Sequence, residues 1–190
     1  ETNFQLENAY EKPLFTADFD LLSQQLAEID RVVQTPIQLI IGSQEVEVSQ
    51  EVKAEWIAIG DSGNVEVDRE AVENYLYGLN EEYAASFQAH PFESTYHGTV
   101  WIQPGTYGWS IDRFAEAEKI EAALLDKKPL HEEVEIIGSG YGTEDYFGGN
   151  YVEVDITSQM MFIYHDYELV FQTPVVTGIT GASTVPGAYE

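Results

Sequence analysis

Gly105-Thr106-Tyr107-Gly108-Trp109-Ser110-Ile111-Asp112 holds two kinds of local instruction within eight residues. Tyr107 and Trp109 alternate with small residues, the period of a strand. Asp112 then stands where a side-chain carboxylate can accept from the orphan amides of a helix, ahead of Ala115, Ile120 and Leu124 at helical spacing. A strand running directly into a capped helix predicts an α+β fold. On the upstream side Val100 to Gln103 reads as another strand and Pro104-Gly105 as a turn, so a hairpin is expected with Trp101, Tyr107 and Trp109 flanking it. On the downstream side the helix runs to Asp126-Lys127-Lys128 before Pro129, which puts cations at the negative end of its dipole.

Working outward, Phe19, Leu22, Leu26 and Ile29 predict an amphipathic helix over 16–30 with Thr16 as its cap. Ile37, Leu39 and Ile41, the turn Gly42-Ser43, and Val46 with Val48 predict a hairpin. Ser49 caps a short helix carrying Val52, Trp56 and Ile59, and a loop at 60–64 leads to a strand at 65–67. Asp68 caps a helix whose face carries Val72, Tyr75, Leu76, Leu79 and Tyr83. Glu133 to Ile137 reads as one strand, and the glycine-dense stretch 138–150 as a linker. Beyond it Tyr151 to Ile156, Met160 to Tyr164 and Glu168 to Val176 predict three strands, with a turn at His165-Asp166. Three strands are too few to bury a core of their own.

The chain has 190 residues, 44% hydrophobic and 22% charged, in the range of folded globular proteins. Its charge is unusual: 34 Asp and Glu against 8 Lys and Arg give a net −26. Nucleic acid and anionic membrane surfaces both require cations to displace counterions, and no Lys or Arg occurs from Pro129 to Glu190. The acidity reads as a solubility device. There is no cysteine, which excludes disulfides, zinc thiolates and a cysteine nucleophile within this chain. No run approaches the ~18 apolar residues of a membrane span.

The remaining motifs carry little chemistry. Gly138-x-Gly140-x-x-Thr143 lacks the third glycine of a dinucleotide loop and leads into no helical pattern. Gly108-Trp109-Ser110-Ile111-Asp112 lacks the second glycine of a nucleophile elbow and reads as a strand end entering a cap. His90, His97, His131 and His165 are too dispersed to ligate a metal together. Asp61, Asn64, Glu66 and Asp68 suggest a calcium loop, but its third and fifth positions are Gly63 and Val65, which supply no side-chain oxygen. No cofactor is implied. Trp101, Tyr107 and Trp109 could stack on sugar rings, with sheet packing as the preferred competing reading.

From Ala9-Tyr10-Glu11-Lys12-Pro13 to Tyr141, with Gly105 to Asp112 as its most specific piece, the chain resembles the peptidoglycan-binding accessory domain of Gram-positive L,D-transpeptidases. Tyr151-Val152-Glu153-Val154-Asp155-Ile156-Thr157-Ser158-Gln159, then Phe162-Ile163-Tyr164 and Thr173-Pro174-Val175-Val176-Thr177-Gly178, resemble the opening of the YkuD-type catalytic domain. Thr184-Val185-Pro186-Gly187-Ala188-Tyr189 continues that resemblance, with a departure at Val185. The resemblance implies an accessory domain at 9–137, a linker at 138–150 and the first strands of an all-β enzyme domain at 151–190. It also implies an extracellular, wall-associated protein, anchored upstream, that cross-links stem peptides through a cysteine acyl-enzyme. The family's serine, histidine, glycine and cysteine motif is expected farther on, so no catalytic residue is carried over, and His165 does not match the family histidine. Peptidoglycan, both glycan and stem peptide, is the expected partner, with Trp101, Tyr107 and Trp109 as candidate contacts. The alternative is a non-enzymatic wall-binding or spacer protein built on the same accessory domain.

Overall fold

Short polar side chains set the starts of the helices. The computed structural model describes residues 20–60, 63–143 and 146–190. In chain order these form α1 (Asp20–Val33), β1 (Ile37–Ile41), β2 (Gln44–Glu47), α2 (Gln50–Glu55), β3 (Ile57–Ile59), β4 (Val65–Val67), α3 (Arg69–Tyr83), β5 (His90–Ser94), β6 (Gly98–Ile102), β7 (Trp109–Ile111), α4 (Arg113–Asp126), β8 (Leu130–Glu133), β9 (Ile136–Gly138), β10 (Tyr151–Asp155), β11 (Met160–His165) and β12 (Glu168–Pro174). Ser49 accepts from the Val52 amide, Asp68 from that of Ala71, and Asp112 from those of Phe114 and Ala115. Each cap satisfies donors the first turn would otherwise waste, worth about 1 kcal/mol. The expected cap Thr16 and the apolar Phe19 lie outside the described residues, as do Asp61 and Ser62 of the expected loop. α4 ends at Asp126, where Lys127 turns left-handed at φ 56° and the amides of Lys127 and Lys128 return to the carbonyls of Leu124 and Ala123.

β1 is the centre of the first sheet. It pairs antiparallel with β2 through the Gly42 turn and parallel with β8, Ile37 opposite Leu130. Its alternation drives Ile37, Leu39 and Ile41 into the core against Val72, Leu76, Ile120 and Leu124 of α3 and α4. Each such side chain contributes about 1.5–3 kcal/mol through burial. β7 is only three residues long and pairs with β9 on one side. On its other side the buried Asn80 of α3 accepts from the Ile111 amide at 2.7 Å and donates to its carbonyl at 3.1 Å. Asn80 thereby takes the place of a neighbouring strand, leaving no buried backbone group of Ile111 unpaired.

The hairpin expected across Pro104-Gly105 does not form. β6 pairs instead with the upstream β5, Trp101 opposite Pro91, while β7 joins β9, Trp109 opposite Gly138. The donor a hairpin ladder would need is taken, since the Tyr107 amide donates to the Ala188 carbonyl at 3.1 Å. Gly108, at φ 133°, turns the chain away so closely against Ser86 that a Cβ there would lie 2.7 Å from the Ser86 nitrogen. The single strand expected at Glu133 to Ile137 is two, β8 and β9, because the chain leaves β1 after Glu133 and joins β7 at Ile136.

β10, β11 and β12 form an antiparallel meander, with Asp166 and Tyr167 both left-handed at the second turn, at φ 48° and 66°. Its alternation is inverted relative to an ordinary surface sheet. Tyr151, Glu153 and Asp155 face the rest of the protein, and Val152 and Val154 face outward. The fold is α+β, with four α-helices and several small, mostly antiparallel sheets among the described residues. No helix among the described residues is long and apolar enough to cross a membrane.

Candidate functional site

The β5–β6 hairpin seats on the β10–β11–β12 sheet. Inward residues of the hairpin seat on aromatic rings: Phe92 lies edge-on to Phe147 and to Tyr151, each at 5.4 Å, and Tyr96 lies edge-on to Phe162 at 5.0 Å. Phe162 is fully buried. The turn between the strands is held by two carboxylates on alternate residues of β10. Glu153 accepts from the Ser94 hydroxyl at 2.7 Å, from the Thr95 amide at 3.1 and 3.2 Å, and from the Thr95 hydroxyl. The Tyr164 hydroxyl bonds that of Thr95 at 2.8 Å. Asp155 accepts from His97 Nε2 at 2.8 Å and from the amides of Thr157 and Ser158 at 2.9 Å. The Ser158 amide foremost, then the Ser158 hydroxyl and His97, hold the Asp155 carboxyl below the usual carboxylate range, against the opposing effect of burial.

The three aromatic candidates are not brought together. Trp101, on β6, points outward and is 66% exposed, whereas Trp109, on β7, is 8% exposed, belongs to the core and meets Tyr141 edge-on at 4.9 Å. Tyr107 lies between, half-buried, its hydroxyl donating to the Tyr146 carbonyl at 2.8 Å and its ring stacked on Phe147 at 5.7 Å. The outward positions of β5 and β6 are Pro91, Glu93, Thr99 and Trp101, paired across the hairpin as Pro91 with Trp101 and Glu93 with Thr99. The Thr99 hydroxyl donates to Glu93.

The glycine-dense stretch is firmly tied. Tyr141 receives the Gly42 amide at 2.7 Å and donates to Glu133 at 2.6 Å, and Tyr146 lies against His90 with ring centres 3.8 Å apart. A Cβ on Gly140 would lie 2.3 Å from the Tyr146 carbonyl oxygen, so close approach requires glycine there. Residues 186–190 pass over Gly105 and Thr106: a Cβ on Gly105 would lie 1.8 Å from the Ala188 oxygen, and the Glu190 amide donates to the Thr106 hydroxyl at 3.1 Å.

Elsewhere the titratable clusters are structural. Lys119 binds Glu132 at 2.7 Å and Glu135 at 2.8 Å, and these partners raise its pKa. Beside it Glu116 is fully buried, one carboxylate oxygen accepting from the Glu135 amide at 3.0 Å and the other without a partner. Burial pushes its carboxyl above the usual range. Among the described residues no group of three or more His, Asp or Glu is placed to hold a metal ion. A groove of about 810 Å³ runs beside α1, lined by Leu21, Gln25, Asn64 and Leu125 among others, and contains no catalytic constellation. The residues sequence reasoning missed are Glu153, Asp155 and Asn80. The strand expected at 151–156 singles out neither acid, and the helix face expected after Asp68 does not include Asn80.

No curated protein matches the sequence. Two solved structures are similar over most of the chain. A cysteine-to-serine mutant of Enterococcus faecium L,D-transpeptidase is 26% identical, with a TM-score of 0.51 over 86% of this chain and 66% of that one. The carbamoyl enzyme of Ldtfm with avibactam is 26% identical, with a TM-score of 0.52 over 87% of this chain and 65% of that one. The chain thus spans just under two thirds of the length of each. The family described as "Putative peptidoglycan binding domain" matches residues 16–131. That match takes in α1 through the start of β8, more than half of the 190 residues, and the chain belongs to this peptidoglycan-binding domain family.

Proposed function

We propose that the chain carries the wall-binding accessory domain of a cell-wall L,D-transpeptidase, at 9–137, joined through 138–150 to the opening strands of its catalytic domain at 151–190. The observation that carries this reading is the two-sidedness of the last sheet. One face seats on the β5–β6 hairpin. The other presents an apolar row, Val152, Ile163 and Phe171, in register across three strands, with Val152 and Phe171 more than half exposed. A sheet with one apolar face uncovered is half of a sandwich. Similarity to the Enterococcus faecium enzyme over 86% of the chain supports the same assignment.

In such an enzyme a thiolate attacks a stem-peptide carbonyl and passes the acyl group to an amine. The 190 residues contain no cysteine, so the nucleophile and its histidine would come from outside this stretch. The protein would work at the wall, outside the cell, held by an anchor upstream, and its partner would be peptidoglycan. A second reading is a wall-binding spacer that reuses the same accessory domain without an enzyme domain. Sequencing the gene beyond the codon for Glu190 decides between them: a serine, histidine, glycine and cysteine motif is expected, and its absence leaves the spacer. Wall binding is tested separately by sedimenting the chain with purified sacculi, where retention in the pellet is expected.

A further inference from the structure

We infer that the outward face of the β5–β6 hairpin is a glycan-stacking platform centred on Trp101, and that it takes an uncharged sugar ring in preference to stem peptide or anionic wall polymer. The inference rests on the wall-binding reading and names the surface and ligand class within it. Among the described residues Trp101 is the most exposed aromatic side chain, and its indole enters no hydrogen bond or ring contact with them. The other two tryptophans, Trp56 and Trp109, are buried in the core. An exposed indole offers a large, rigid apolar face beside a polar N–H, the combination that stacks on a ligand ring and bonds at its edge.

The surroundings choose the ligand. Pro91 stands directly opposite Trp101 in the ladder, so the two side chains lie about 5 Å apart and make one flat apolar tread. Two residues along, at a strand rise of about 7 Å, Thr99 and Glu93 make a polar row on the same face. A pyranose ring spans that distance, its apolar face on Trp101 and Pro91 and its hydroxyl or amide protons toward the Glu93 carboxylate. Phosphate-bearing polymers are disfavoured, because no Lys or Arg occurs from Glu70 to Asp112 and the chain carries a net −26. The turn of the same hairpin is fixed by Glu153 on Thr95 and Asp155 on His97, so the strands that carry Trp101 and Pro91 are ordered before binding.

Because Trp101 is the exposed tryptophan, its fluorescence reports the site directly. Titration with an uncharged N-acetylglucosamine oligosaccharide should shift the emission to the blue and protect it from acrylamide. Both effects should vanish in Trp101→Ala, and Pro91→Ala should bind about fivefold more weakly. Sedimentation of Trp101→Ala with sacculi should fall by about five- to tenfold, with Trp101→Phe retaining part of the binding and circular dichroism unchanged. Two results overturn the platform and leave wall binding standing: wild type and Trp101→Ala sedimenting equally, or wild type binding free stem peptide and not the glycan. Wild type failing to sediment at all removes the wall-binding reading and the platform together.

Discussion

The Glu153 carboxylate of β10 receives the Thr95 amide at 3.1 and 3.2 Å, fifty-eight residues away in sequence. A side chain from the middle of β10 thereby supplies the partner that the β5–β6 turn lacks. Glu153→Ala strips acceptors from the Thr95 amide and the Ser94 hydroxyl together. The loss expected is about 1–3 kcal/mol, because the donors left behind are partly buried. Chemical denaturation measures it, and faster hydrogen exchange at the Thr95 amide locates it; unchanged exchange there would contradict the assignment.

Asp155 and Glu116 should respond to pH with opposite signs. The folded state holds Asp155 below its ordinary value of 3.8, so its stabilisation is present above that value and is lost as pH falls through the lower folded pKa. Asp155→Asn should therefore cost stability at neutral pH and shrink the acid limb of the Tm profile. Glu116 is raised above 4.5 by burial, so its destabilising ionisation sets in as pH rises from that value and is complete above the folded pKa. Glu116→Gln should flatten the fall of Tm that sets in as pH rises above 4.5. A profile unchanged by both substitutions would refute the pair of assignments.

Gly105 and Gly108 make different demands. Gly108→Ala meets Ser86 backbone at 2.7 Å in a left-handed conformation beside core residue Trp109, and should lower global stability by about 1–3 kcal/mol. Gly105→Ala meets the Ala188 backbone, so it should release residues 186–190 and leave the core melting temperature within about 2 °C. Hydrogen exchange of the last five residues, read beside calorimetry, separates the two outcomes.

The isolated chain should not release an amino acid from, or join, stem-peptide substrates. Covalent acyl transfer by this family's route needs a thiolate, and the chain has no cysteine. Turnover by purified material, retained after a second chromatographic step, would contradict this.

Local signals explain what was legible in advance. Ser49, Asp68 and Asp112 stand beside the helices they cap, and Gly42 sits in the hairpin it bends, so their meaning lies within a few residues. The pairing of β7 with β9 and of β1 with β8 could not be read that way. β7 and β9 are three residues long, and their partners are chosen by packing on α3 and α4. For the same reason Trp101 and Trp109 looked like neighbours across a turn. Only the diversion of the Tyr107 amide to Ala188 shows that one faces solvent and the other the core. The inverted face of β10 was equally hidden, since alternation gives a period without saying which side is inside.

The parallel pairing of β1 with β8 sets the order in which a nascent chain can fold. Ile37 meets Leu130 only after the intervening α2, α3 and α4 have been made. Closing a loop of ~90 residues carries an entropic cost that the local β1–β2 hairpin does not. On the ribosome, the hydrophobic edge of β1 must therefore wait, unpaired, until Glu133 has cleared the exit tunnel. The chain's net charge of −26 opposes edge-to-edge association of neighbouring copies in that interval.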